Sequence, residues 1–385
     1  MLDRMRITLA ATILSGSLLF SNYDTNIVYA KQKPDIVDAT SQGSSLEDRI
    51  KKISVSYSDE DFAYNQAYEK AKNIVTHLSS KKQFPSNTWE IIALSHISEG
   101  LVNYEQNHPD KKEEIKGLLE LIIQDATTKL SPYNHQLNAQ TSLKEDGIYL
   151  SHTEIILNSY QQLTKNQKYI RLQTKIAHEL ARRSLNDPQK HMRSYAHLKY
   201  KWPADQAATL YAIWSFDQNN GTTLSKEPIK EWFTYIKKNA TDSRTRLPYS
   251  NITGKRFGKT PRGCALSWSI RYMGSFAPSE AKSQWSQYKK KFYVQHGPAH
   301  GFREWPKGIN HRGDGDSGSI IYGMGVAASA FGMSAAKVLQ DYNTYQKLKN
   351  TQDLAEELLI LMPQKGMKNT EALTQSILFY TLSIL

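Results

Sequence analysis

From about residue 57 onward the apolar side chains of this chain recur at helical spacing, and strand-like alternation is short and rare. Phe62, Ala67, Ala71 and Ile74 form one stripe, and Trp89, Ile92, Leu94, Ile97, Leu101 and Tyr104 form another. Ile115, Leu118, Leu119, Ile122 and Ile123 make a third. Further runs cover 151–163, 167–185, 204–217, 227–239, 262–275, 279–295, 317–332, 334–348, 350–362 and 369–383. Local signals agree: Ser131-Pro132 and Asn186-Asp187-Pro188 close helices, while Ser225 with Pro228 and Pro278-Ser279-Glu280 open them. So many helices with few strands predict an all-α chain of antiparallel helix pairs. The repeat of about 34 residues that marks a superhelical stack is not visible, which favours closure of the pairs into an (α/α)6 toroid. In a toroid the loops at one end surround a ready-made mouth.

Three regions are expected. Arg4 and Arg6 precede an apolar run from Ile7 to Phe20, and Val28-Tyr29-Ala30 offers a small-residue cleavage site. That is the layout of a secretory signal peptide over 1–30, and it predicts a bacterial periplasmic or secreted protein. A membrane enters only if this segment stays uncleaved. Residues 31–56 are polar and read as a tether, and 57–385 as the helical toroid domain. Cys264 is the sole cysteine, so the core must hold without an internal disulfide. Lysine and arginine number 49 against 37 aspartates and glutamates, a formal charge of +12, which suits acidic partners such as polyanionic glycans. The basic residues are scattered and match no nucleic-acid-binding motif, which excludes nucleic acid as the expected partner.

Four non-helical segments carry the candidate chemistry. Asp146-Gly147-Ile148-Tyr149-Leu150-Ser151-His152 ends at a helix start, and Tyr200-Lys201-Trp202-Pro203-Ala204-Asp205 leads into another. A third runs from Asp242 to Arg262 and contains Arg244, Pro248 and Tyr249. The fourth, Gly301 to Gly318, places Arg303, Glu304, Trp305, Arg312, Asp314 and Asp316 on one irregular loop before an apolar run, 320–328, that reads as a buried helix. Carboxylates on a loop aimed by a rigid scaffold suit acid/base chemistry, because one carboxylate near another resists ionising and lets an acid and a base coexist. Cleavage of a glycosidic bond uses such a pair. The expected catalytic groups are Glu304 as general acid with Asp316 or Asp205 as base. Trp202, His152, Tyr249, Arg244, Arg262, Arg303, Trp305 and Asp314 are the expected substrate contacts, tryptophans for sugar faces and arginines for anionic groups. The scheme needs no cofactor and no metal.

Three short matches lead elsewhere. Gly315-Asp316-Ser317-Gly318 matches the nucleophile segment of chymotrypsin-like proteases, but those are β-barrels. Asp314-x-Asp316 starts like a calcium loop, yet its twelfth position is Gly325 rather than glutamate. Asp-x-Asp also occurs in metal-dependent glycosyltransferases, whose strand–helix alternation is missing here.

Taken in order, Trp202-Pro203-x-Asp205, Pro261-Arg262-Gly263, Arg303-Glu304-x-Pro306 and Asp314-x-Asp316-Ser317-Gly318 resemble bacterial (α/α)6-toroid proteins. The likeness covers about 145–345 and points to the linalool dehydratase/isomerase-like domain and the toroid glycoside hydrolases. It implies a toroid with its pocket at one mouth. Linalool dehydratase-isomerase works with several cysteines, and this chain departs from it in having Cys264 alone. The expected function is therefore an exported carbohydrate-active enzyme working by acid/base hydrolysis or elimination. The alternatives are a non-catalytic toroid that binds a glycan or a partner, and a dehydratase or isomerase on a small alcohol.

Overall fold

A computed structural model describes residues 60–80, 88–253, 258–309, 311–314, 317–360 and 371–384. The segments read as signal peptide and tether, and Asp316, lie outside the described residues, as does the side chain of Phe62.

Twelve α-helices occur among the described residues: α1 (Glu60–Ser80), α2 (Thr88–Asn107), α3 (Lys112–Thr127), α4 (Gly147–Thr164), α5 (Ile170–Asn186), α6 (Pro203–Asn220), α7 (Lys226–Asn239), α8 (Gly263–Phe276), α9 (Pro278–Phe292), α10 (Val326–Val338), α11 (Tyr342–Ile360) and α12 (Glu371–Ser383). The even-numbered helices form a closed inner ring, each packing on the next and α12 returning to α2. The odd-numbered helices lie outside and pack on their inner neighbours. This is an (α/α)6 toroid.

Sequence decides which helices go inside. On α4 every side chain from Gly147 to Gln161 is buried, and a helix enclosed on all sides belongs in an inner ring. Outer α5 buries only one stripe, including Leu172, Ile176 and Leu180, and turns its charged face to water. Since the inner helices run parallel, the loops that precede them share one end. Those loops are long: 128–146, 187–202, 240–262 and 293–325. At the opposite end the connections are short, such as 165–169, 221–225 and 339–341. All four candidate segments therefore fall at one mouth. They are also knitted together: Gly147 N–H donates to the Arg193 carbonyl at 2.9 Å, and Ile252 N–H to that of Lys201 at 3.2 Å.

The bore beneath the mouth is closed by side chains. Arg271 of α8 is ion-paired with Glu99 of α2 and lies 4.0 Å from the ring centres of both Tyr272 and Tyr380. Tyr211 of α6 donates its hydroxyl to Glu99 Oε1 at 2.5 Å. No described helix is long and apolar enough to cross a membrane.

Three expectations need correction. The apolar run after Gly318 is not a single helix. It opens as a hairpin, β3 (Ile320–Ile321) against β4 (Met324–Gly325), and α10 starts only at Val326. Tyr322 and Gly323 have φ of 50° and 82°, and two successive positive φ values make a two-residue hairpin turn that stops a helix. The run 334–348 is likewise split by a turn at 339–341: its first residues end α10 at Val338, and the rest opens α11, which carries on through the run 350–362 to Ile360. The run 279–295 ends as a helix at Phe292 and continues as β1 (Tyr293–His296), paired with β2 (Ala299–Phe302).

Candidate functional site

The loop 293–325 delivers its side chains to the start of α8. Strand β2 ends at Phe302, and Arg303 forms an isolated bridge with Met324, which fixes the chain direction through Glu304. The Glu304 carbonyl then accepts the Gly263 N–H at 2.8 Å. A Cβ on Gly263 would lie 2.0 Å from the Arg303 carbonyl oxygen, so only glycine lets loop and helix meet this closely.

At that junction Arg262 joins two carboxylates. Its Nε donates to Glu304 Oε1 at 2.6 Å, and its two terminal nitrogens donate to the Asp314 oxygens at 3.1 and 2.9 Å. Glu304 also accepts the Cys264 N–H at 3.1 Å, on the first turn of α8, and the Cys264 thiol at 3.1 Å. An anion at a helix N-terminus is favoured by the unpaired N–H groups and the helix dipole. Even so, burial pushes the Glu304 carboxyl above the usual glutamate range, and Arg262 and Cys264 only partly offset it. Glu304 has 0% exposure, whereas the Asp314 side chain retains 16%. Ser317 holds Asp314 in place: Asp314 N–H donates to Ser317 Oγ at 2.9 Å, and Ser317 N–H donates to Asp314 Oδ1 at 3.1 Å. The serine of the protease-like tetrapeptide is thus fully buried and serves the turn.

Trp305 is buried, with the Arg262 guanidinium 5.1 Å from its ring centre and His311 packed edge-on at 5.0 Å. Beside it opens a cavity of about 360 Å³ lined by Arg303, Trp305, Ile309, His311, Arg312, Gly313, Ile320 and Gly323.

The other expected residues occupy the same end of the toroid at different depths. Asp205 is half-buried in the first turn of α6, the inner helix next to α8, and Trp202 caps that helix. Asp205 and Arg262 therefore stand at the same ends of adjacent inner helices, whose axes pack about 8–10 Å apart. Tyr272, deeper in the bore, is raised mainly by burial, with Glu99, Tyr380 and Asp205 adding to the effect. His152 is buried, its Nδ1 2.6 Å from Ser95 Oγ and its ring 6.4 Å from His96. Burial, helped by Arg271, holds His152 down to about 3, so it is a neutral imidazole in the bore wall. Tyr249 is half-buried under Lys259, and Arg244 is 68% exposed beside Asp242 at 3.8 Å. Arg262 thus touches Glu304, Asp314 and Trp305, with Arg303 on the adjoining cavity, while Arg244 and Tyr249 meet Asp242 and Lys259 instead. Sequence reading passed over Cys264 as a partner of Glu304, and over His311 and Arg312 as cavity walls. The helix start at Gly263 was a signal for the first, and the density of basic residues within 303–312 for the others. Among the described residues no group of three histidine, cysteine or acidic side chains is placed to hold a metal.

The chain is an (α/α)6 toroid, a fold it shares with glycoside hydrolases. A family 76 glycoside hydrolase from a bovine Bacteroides thetaiotaomicron strain superposes with a TM-score of 0.54 and 10% identity, over 83% of this chain and 77% of that one. An α-1,6-mannanase of family 76 from Salegentibacter sp. gives 0.54 and 12%, over 84% and 98%. An inactive variant of that enzyme, with two consecutive aspartates changed to alanine and α-1,6-mannotetrose bound, gives 0.54 and 12%, over 83% and 98%. No family model and no curated protein matches the chain in sequence. At these identities the likeness is one of fold. No two aspartates are consecutive in this chain, so that pair has no counterpart by adjacency here.

Proposed function

We propose that the protein is an exported carbohydrate-active enzyme that cleaves a glycan by acid/base hydrolysis or elimination at the toroid mouth. What carries this reading is the convergence there of an arginine-bridged carboxylate pair, a tryptophan-walled cavity and a half-buried aspartate on the neighbouring inner helix. The toroid neighbours that degrade or hold α-1,6-linked mannose support a glycan as the substrate class. Glu304 has no surface through which to touch a sugar, so its work is to anchor Arg262 and the start of α8. Asp205 is the carboxylate that a substrate in the mouth can meet, and Asp316, two residues beyond Asp314, is the partner the sequence nominates. The basic balance of the chain favours a glycan that bears acidic groups. The N-terminal segment, read as a signal peptide, supports an exported activity.

Removing one member of an acid/base pair lowers turnover by roughly 10²–10⁴-fold. A panel of α-linked and uronate-containing oligosaccharides, scored for released reducing ends and for unsaturated products, identifies the reaction. On a substrate so found, Asp205→Asn and Asp316→Asn should lose that factor in kcat while keeping the wild-type melting temperature. Asp205→Asn with full turnover sinks the assignment of Asp205. Glu304→Gln that keeps turnover confirms an anchor, and one that abolishes kcat without unfolding restores it as the proton donor. Binding without cleavage across the whole panel would leave a binding toroid.

A further inference from the structure

The cavity beside Trp305 differs in charge from the cluster behind it. Arg262 is fully engaged by Glu304 and Asp314, so its guanidinium is not available to a ligand. Arg303 and Arg312, which line the cavity, have no ion-pair partner among the described residues. No described carboxylate lines it, while Ile309, Ile320 and Trp305 supply apolar wall. The Arg303 guanidinium lies against the backbone at Gly323, where a Cβ would come within 2.8 Å of its terminal nitrogen and push it aside, and the φ of 82° there favours glycine. The bridge between Arg303 and Met324 holds the backbone beneath it.

We propose that this cavity is a subsite for one acidic group of the substrate, a carboxylate or a phosphate, gripped by Arg303 and Arg312 with His311 and Trp305 at its edge. The proposal rests on the reading that the mouth holds a glycan, and it narrows that glycan to an acidic one. Each guanidinium lining the cavity can pair with two oxygens of such a group, and the half-buried setting of Arg303 strengthens its contact relative to open surface. The apolar wall suits the sugar ring that carries the acid.

The test is calorimetric titration of the full chain with three probes of equal length: an oligogalacturonate, a glycerol phosphate oligomer and a neutral oligomannoside. At least one acidic probe should bind about tenfold or more tighter than the neutral one, as expected of charge-assisted contacts, and the tighter acidic probe identifies carboxylate or phosphate as the source. Arg303→Gln should erase that preference, and Arg312→Gln should reduce it. Gly323→Ala should weaken it without changing net charge. Lys307→Ala, a neighbouring exposed cation outside the cavity lining, should leave it intact. Melting temperatures of each variant separate loss of the site from loss of the fold. Equal affinity for acidic and neutral probes overturns the subsite, as does a Lys307→Ala loss as large as that of Arg303→Gln, which would mark a diffuse charge effect. Cleavage of a neutral glycan without acid preference would remove this inference and leave the enzyme reading standing. Selective binding of the acidic probe without cleavage of any glycan would do the reverse.

Discussion

At the scale of the residue, Glu304 shows how burial redefines a carboxylate. Its oxygens accept bonds from Arg262 and from the N–H and thiol of Cys264, yet burial still raises its pKa. Attraction to Arg262 and the cost of desolvation therefore oppose each other closely. Glu304→Gln keeps one acceptor but sets an amide N–H against a donor, so it should cost about 1–3 kcal/mol at neutral pH. Glu304→Ala leaves Arg262 and the helix start short of a partner and should cost about 3–5 kcal/mol, measured by urea unfolding. Equal losses for the two variants would show that the charge, rather than the hydrogen bonds, is what matters. The sequence singles out Glu304 because acids on a Gly-rich loop are poorly explained by packing. It was silent on which acid would be covered, because cover comes from a helix start forty residues away.

At the scale of the element, inner helix α4 carries a consequence of full enclosure. Glu154 is wholly buried, neither carboxyl oxygen has a hydrogen-bond partner among the described residues, and burial alone raises its pKa well above the ordinary value. A folded-state pKa above the unfolded one means that the folded chain binds the extra proton. Stability is then fully present below the unfolded value near 4.5 and falls as pH rises toward the folded value. Glu154→Gln should flatten that decline, with little effect at low pH; melting curves between pH 4 and about 9 check it. His152 on the same helix acts in the opposite sense. Its pKa, down to about 3 from 6.5, makes stability complete above 6.5 and erodes it as pH falls toward 3. Helix existence was legible because apolar spacing is local. The hairpin at Ile320–Gly325 was not, since an apolar run carries no mark of the positive φ values at Tyr322 and Gly323 that break it.

At the scale of the whole molecule, the ring is closed across its bore by Glu99 and Arg271, one from α2 and one from α8, with Tyr211, Tyr272 and Tyr380 around them. Removing one partner strands a buried charge, so Arg271→Met or Glu99→Ala should each destabilise by about 3–5 kcal/mol, while the double change should cost less than the sum. Strict additivity in urea titrations would show that the pair does not act as a unit. Tethering these two residues across a sequence separation of 172 joins opposite helices of the inner ring. The sequence by itself determined that the chain is helical, that its helices pair, and that its longest loops carry the acids, arginines and tryptophans, because periodicity and turn chemistry are written within a few neighbouring residues. Only the tertiary structure decided that Arg262 is held by Glu304 and Asp314 while Arg303 and Arg312 face an open cavity. That division depends on desolvation and on partners brought together by ring closure, and neither is a property of any single stretch of chain.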